Sequence, residues 1–147
     1  MTTPLTVWTC DACRDDITDP TNAFVIFNYD DQERAVDFHI VHHNNYGKRC
    51  DPPAMPGSIE LSHLLGPDGL AQLLSFLSPG PIKGGSGATV GDLNGFVDLV
   101  RRVQTPWYEQ ARDFWTTDKT QEHFGDNNEY RPYVPEHLER IAKQDLD

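Results

Sequence analysis

The sequence predicts an α+β protein, with an antiparallel β-hairpin module at the N-terminus and a small helical subdomain after it. Three observations carry this expectation. Two β-branched and aromatic runs, residues 23–29 and 35–43, flank a polar stretch, Asp30-Asp-Gln-Glu33. All three cysteines, Cys10, Cys13 and Cys50, lie within the first 50 residues and bracket those runs. Beyond a proline-rich stretch at residues 51–57, the apolar residues recur at helical spacing.

Taken in order, Ala23-Phe-Val-Ile-Phe-Asn-Tyr29 is the first strand. In the second run Val36, Phe38, Ile40 and His42 share one face, because strand side chains alternate with a period of two. A lone hairpin is marginal in water, so this one needs a staple. Further on, Pro67 suits a first helical turn, and Leu70, Leu73, Leu74 and Leu77 recur at helical spacing. Ser78-Pro-Gly-Pro81 ends that run. Lys83-Gly-Gly-Ser-Gly87 lacks the G-x-x-x-x-G-K-[ST] pattern of a phosphate-binding loop and reads as a flexible connector. Residues 90–103 put Leu93, Phe96, Val97, Val100 and Val103 on one helical face. Pro106 marks the first residue of a helix through Phe114 and Trp115, and a last helix starts at Pro135 and runs through Ile141. The expected division is a hairpin module over residues 1–51 and a helical subdomain over 58–147, packed as one body.

Charge narrows the function classes. The 147 residues carry 12 Lys and Arg against 23 Asp and Glu, a net charge of −11. The first 50 residues alone hold four basic and eight acidic side chains, so no basic domain hides behind an acidic tail. A nucleic-acid binder presents a basic face to phosphates, and an anionic membrane surface selects the same sign. Both partners are disfavoured. The most apolar window, residues 70–77, falls far short of the roughly 20 residues of a membrane helix. The N-terminus lacks the basic and apolar regions of a secretory signal, so a cytoplasmic protein is expected. In a reducing cytosol, cysteines spaced as these are bind metal more often than they form a disulfide framework.

Cys10-Asp-Ala-Cys13 lets two thiolates grip one ion from a tight turn. Zinc takes four ligands in a tetrahedron, so a second pair must come from elsewhere. Cys50 is the remaining cysteine, and a hairpin returns the chain to Cys10 and Cys13 where His42, His43 and Cys50 lie. The expected set is Cys10, Cys13, Cys50 and His42, with His43 and then His39 as alternatives on the opposite strand face. Asn44-Asn-Tyr-Gly47 lets either His42 or His43 pair with Cys50. Two other readings of the cysteines are plain buried thiols and a redox C-x-x-C. The redox reading wants the motif at a helix N-terminus, which Asp15-Asp16-Ile-Thr-Asp-Pro20 does not supply.

Trp8-Thr-Cys-Asp-Ala-Cys13, Phe38-His-Ile-Val-His-His43 and Cys50-Asp51 together resemble zinc-ribbon or treble-clef modules, and small bacterial proteins that open in this way. The resemblance covers the first third of the chain and implies structural zinc without one shared activity. The second knuckle departs from the commonest ribbon, because it is not a C-x-x-C. Three thiolates and one imidazole would fill every position and weaken the ion as a Lewis acid, which favours a structural role. His42-His43 is also similar to the start of an HNH-type nuclease motif, with His63 as its later histidine, but no Asn lies between Asp51 and His63.

In the second half, Gly69-Leu-Ala-Gln-Leu-Leu-Ser-Phe-Leu77 and Thr89-Val-Gly-Asp-Leu93 resemble the opening of a winged-helix repressor. Arg101 and Arg102 would then lie on its recognition helix, although the separating turn is missing and a solvated face explains them equally. Trp107, Tyr108, Phe114, Trp115, Phe124, Tyr130 and Tyr133 form a late aromatic concentration, mostly core, with a subset suited to a partner protein. Asp98, Glu109 and Asp113 show no spacing that separates them from ordinary solvated carboxylates. The expectation is a zinc-stapled hairpin with helices, Zn²⁺ as structural cofactor, and an adaptor or regulatory role through a protein partner without catalysis. A DNA-binding regulator comes second and a metal-dependent nuclease third.

Overall fold

A small two-stranded ladder, β1 (Trp8–Thr9) against β2 (Asp16–Ile17), brackets the Cys10–Cys13 turn. The computed structural model describes residues 5–52, 56–84 and 87–146, so residues 53–55 of the proline-rich connector and 85–86 of the glycine-rich loop lie outside the described residues. Next comes the hairpin, β3 (Ala23–Tyr29) antiparallel to β4 (Ala35–His42), with Val25 opposite Ile40 and Ala23 opposite His42. The register slips between Ile26 and Asn28, beside Asp37 at φ 61°. Near the end of β4, Ile40, Val41 and His42 are buried in succession. Consecutive strand residues point to opposite faces, so both faces are covered there.

A third strand, β5 (Gly57–Glu60), pairs antiparallel with the free edge of β3 and gives the order β4-β3-β5. Sequence patterning missed it, because Ile59 is its only apolar residue with a side chain larger than a proton. Gly57 is required at that edge: a Cβ there would strike the Phe27 ring. The sheet is thus completed by residues from beyond the proline-rich connector.

Six helices follow among the described residues: α1 (Gly66–Ser75), α2 (Gly80–Lys83), α3 (Leu93–Gln104), α4 (Tyr108–Ala111), α5 (Asp118–Phe124) and α6 (Pro135–Lys143). The chain is therefore a mixed α and β protein with antiparallel sheets. Pro67 and Pro135 stand in the first turns of α1 and α6, where a missing N–H costs nothing. Asp92 caps α3 by accepting from Gly95 N, which starts the helix three residues later than Val90. Val90 instead bridges to Ala35 at the edge of the sheet. The helix expected from Pro106 begins at Tyr108, because Trp107 sits in the left-handed region at φ 72°.

The apolar face of α1 also differs from the expectation. Leu73 is buried, but Leu70 and Leu74 are 39% and 53% exposed. Gly69 lies against the Leu64 backbone, where a Cβ would collide, and this contact turns the helix so that Gly69 and Leu73 face inward. Leu61, Leu64, Leu73, Phe96, Leu99 and Val103 join Trp8, Ile17, Val25 and Ile40 in one core between sheet and helices. Four rings, Phe27, Phe38, Phe96 and Phe76, close a circuit with neighbouring centroids 5.4 to 5.8 Å apart. A second core gathers Tyr108, Ala111, Phe124, Leu138, Ile141 and Leu146 from α4, α5, α6 and the residues after them. No helix is long and apolar enough to cross a membrane among the described residues.

Candidate metal centre

The hairpin and two tight turns converge four donor atoms. Cys10 and Cys13 sit in a turn closed by Cys10 N donating to Asp15 O at 2.9 Å and Arg14 N donating to Cys10 O at 3.0 Å. Arg14, just after Cys13, takes φ 68°, a left-handed conformation that a non-glycine residue adopts at some cost. His42 closes β4 beside this turn, and its backbone N–H donates to Cys10 Sγ at 3.4 Å. Cys50 returns through a two-residue reversal, in which Asn45 and Lys48 exchange backbone bonds at 2.7 and 2.9 Å. Tyr46 at φ 53° and Gly47 at φ 79° occupy its centre, the conformation of a type I′ turn.

The Sγ atoms of Cys10, Cys13 and Cys50 and a ring nitrogen of His42 all lie within 4.8 Å of one another. His42 Nδ1 stands 3.4 Å from Cys13 Sγ and 4.0 Å from Cys50 Sγ. Ligands at about 2.3 Å (sulfur) and 2.0 Å (nitrogen) from a tetrahedral ion would be separated by roughly 3.5 to 3.8 Å. The donor set therefore fits a tetrahedral ion, and the three thiols are free of disulfides.

The surroundings orient the donors. His42 Nε2 lies 2.9 Å from the Asp16 carbonyl, which can only accept, so the proton resides on Nε2 and the Nδ1 lone pair faces the sulfurs. Asn45 Nδ2 donates to Cys13 Sγ at 3.4 Å. Burial pushes the Cys13 thiol up, but the Asp15 backbone N–H and the Cys10, Asn45 and Cys50 side chains outweigh it and lower its pKa to about 7. Cys50 is pushed up to about 12 by burial and by the Cys13 and Cys10 sulfurs beside it. One thiol ionises readily here and a later one resists, since like charges at this spacing repel. A dication would offset that repulsion.

The other histidines lie outside the set. His43 Nδ1 bonds Asp51 Oδ2 at 3.1 Å, and Arg49 reaches the same oxygen at 3.1 Å, so the buried Asp51 carboxylate anchors the strand return next to Cys50. Burial raises the Asp51 carboxyl, but Arg49 and His43 hold it below its ordinary value. His39 lies between Asp37, at 2.9 Å, and Asp11, at 3.7 Å. His63 Nε2 lies 3.5 Å from a Glu60 carboxylate oxygen. Sequence reasoning missed Asn45 and Asp51 as supports, although an Asn before Tyr-Gly and an acid beside a cysteine are visible once the return is known.

Arg102 corrects the expected solvated arginine pair. Its side chain is 3% exposed and forks onto Glu109, Nε to Oε1 and Nη2 to Oε2, both at 2.7 Å. Nη1 reaches Asp11 Oδ2 at 2.8 Å, and Nη2 also donates to Thr9 O at 3.1 Å. Arg101, its neighbour, lies 4.3 Å over the Tyr133 ring. That ring, Tyr108, Trp115, Phe124 and Arg101 line a cavity of about 630 Å³ in the C-terminal part. Residues 89–93 form a sheet-edge contact and the start of α3, so no separate helix precedes α3 there.

In comparisons with protein families, with curated proteins and with solved structures, the chain matches none.

Proposed function

We propose that Cys10, Cys13, His42 and Cys50 hold one structural zinc ion that staples the β3–β4 hairpin as in a zinc-ribbon-like module. The observation that carries this reading is the closed donor set: four side chains of zinc-binding type within 4.8 Å, each sulfur or nitrogen oriented by turn or hydrogen-bond geometry. Three sulfurs and one nitrogen fill a tetrahedron and leave no position for substrate water. Three thiolates also donate enough charge to blunt the ion as a Lewis acid. We read the protein as an adaptor or regulatory protein that acts through protein contacts. The aromatic cavity with Arg101 supports this, because tyrosine, tryptophan and arginine are the residues that most often anchor interfaces.

Elemental analysis of the purified chain and its variants tests the metal reading. One zinc per chain is expected in the wild type, with loss in Cys50→Ser and His42→Ala and retention in His43→Ala. Zinc retained in His42→Ala and lost in His43→Ala contradicts the assignment. Cobalt substitution tests the structural role: the visible spectrum of a closed site stays unchanged when azide or cyanide is added. An anion-induced change would mark an open position and a catalytic ion.

A further inference from the structure

The loop between the two knuckle cysteines is tied to the C-terminal part of the chain by one buried polar network. Asp11 stands between Cys10 and Cys13, and its backbone and carboxylate both bond Ile40, N–H to O and Oδ2 from N, each at 2.8 Å. The same Oδ2 accepts from Arg102 Nη1 at 2.8 Å across 91 residues of sequence. On the far side of Arg102, Glu109 accepts its fork and also accepts from Thr9 N at 3.0 Å, two residues ahead of Asp11. Trp8 Nε1 donates to Arg102 O at 3.0 Å, so β1 and the end of α3 are bonded in both directions.

Two consecutive pairs divide their work. Arg102 and Glu109 hold the knuckle, whereas their neighbours Arg101 and Tyr108 line the aromatic cavity. Tyr108 is further fixed by donating to Asp98 Oδ1 at 2.5 Å, and Arg112 spans Asp98 at 3.6 Å and Glu109 at 3.6 Å. A shift of the knuckle moves the partners of Arg102, and a buried arginine cannot lose a carboxylate partner without a new arrangement. The β1–β2 ladder beside the knuckle has only two residues per strand, so the bonds of Asp11 to Ile40 and Arg102 carry much of its anchoring when no ion is bound.

We infer that metal binding at the knuckle is coupled through Asp11, Arg102 and Glu109 to the order of α4, α6 and the aromatic cavity, so that the loaded ion assembles the cavity. This rests on the metal reading above. Coupling free energy is reciprocal: the factor by which the bound ion favours the ordered cavity is the factor by which the ordered cavity strengthens ion binding, so loosening Glu109 weakens the ion's hold.

Hydrogen exchange read by mass spectrometry on the full zinc-loaded chain tests this in wild type and Asp11→Asn, together with metal content. Asp11→Asn leaves the four donors in place and is expected to keep one zinc per chain. Its α4 and α6 amides should exchange on the order of tenfold faster, while β3, which Asp11 does not touch, stays as in wild type. Unchanged exchange in α4 and α6 at one zinc per chain overturns the coupling and leaves the metal reading intact. The second arm approaches from the other end. Glu109→Gln touches no donor, yet zinc transfer to a competing chelator should be favoured by a comparable factor. Transfer equal to wild type overturns the coupling even if Asp11→Asn fails to fold. A wild-type chain that takes up no zinc overturns the metal reading and the coupling together.

Discussion

Replacing Arg102 by Met tests the energetics of the buried network. Methionine keeps most of the side-chain volume and removes the charge and all five N–H donors. Four contacts disappear: both Glu109 oxygens at 2.7 Å, Asp11 Oδ2 at 2.8 Å and Thr9 O at 3.1 Å. Two carboxylates are left facing each other, Glu109 with 3% and Asp11 with 15% of the side chain exposed. Arg112 stays 3.6 Å from Glu109 and 4.0 Å from Asp11 and is itself a quarter exposed. Removing one partner of a buried pair costs about 3–5 kcal/mol, since the remaining charge stays desolvated. For a chain of this size each kcal/mol moves the melting temperature by roughly 2–4 °C, which gives a fall of about 6–20 °C. Thermal unfolding followed by circular dichroism, with zinc in excess so that loading is held constant, measures it. Arg102→Met combined with Glu109→Leu should recover much of the loss, because the orphaned carboxylate goes with its partner. A single variant melting within about 3 °C of wild type would refute the claim that this network holds the two parts together.

Further outcomes follow from individual contacts. Leu73→Ala should cost about 2–5 kcal/mol, whereas Leu74→Ala, half exposed, should stay within about 0.5 kcal/mol; denaturant unfolding separates the two and checks which face of α1 is inward. Gly57→Ala should destabilise by about 1–3 kcal/mol through its collision with the Phe27 ring, and Phe27→Leu in the same chain should relieve part of it. Burial, and then Asp98, raise the Tyr108 hydroxyl above its ordinary value. A raised folded pKa stabilises fully below the unfolded value, about 10, and the benefit is lost as pH rises towards the folded value. Stability should therefore fall above about pH 10, and Tyr108→Phe should flatten that fall while losing about 1–2 kcal/mol at pH 7.

The parts of the molecule legible in the sequence share a property: their signal is short-range or chemically restrictive. Few residue types bind metal ions, so a C-x-x-C, one further cysteine and a cluster of histidines single out the four side chains that the fold brings within 4.8 Å of one another. Period-two alternation likewise marks β3 and β4, and prolines mark the first turns of α1 and α6. What escaped the reading depends on distant partners. β5 offers one β-branched apolar residue and becomes a strand only because the free edge of β3 accepts it. α5 opens with Thr117, whose side chain accepts from Thr120 N, but its polar sequence shows no apolar stripe. Arg102 looks like half of a solvated basic pair until Asp11 and Glu109 are brought to it from 91 and seven residues away. Leu70 and Leu74 have the spacing of core residues, and the close approach of Gly69 to Leu64 turns them outward.

X-ray absorption at the zinc edge of the purified chain tests the central claim most directly, because it counts ligand types around the ion. Three sulfurs at about 2.3 Å and one nitrogen at about 2.0 Å, with no oxygen, are the expected ligands. A shell holding a water oxygen, fewer than three sulfurs, or a chain that carries no zinc would contradict it.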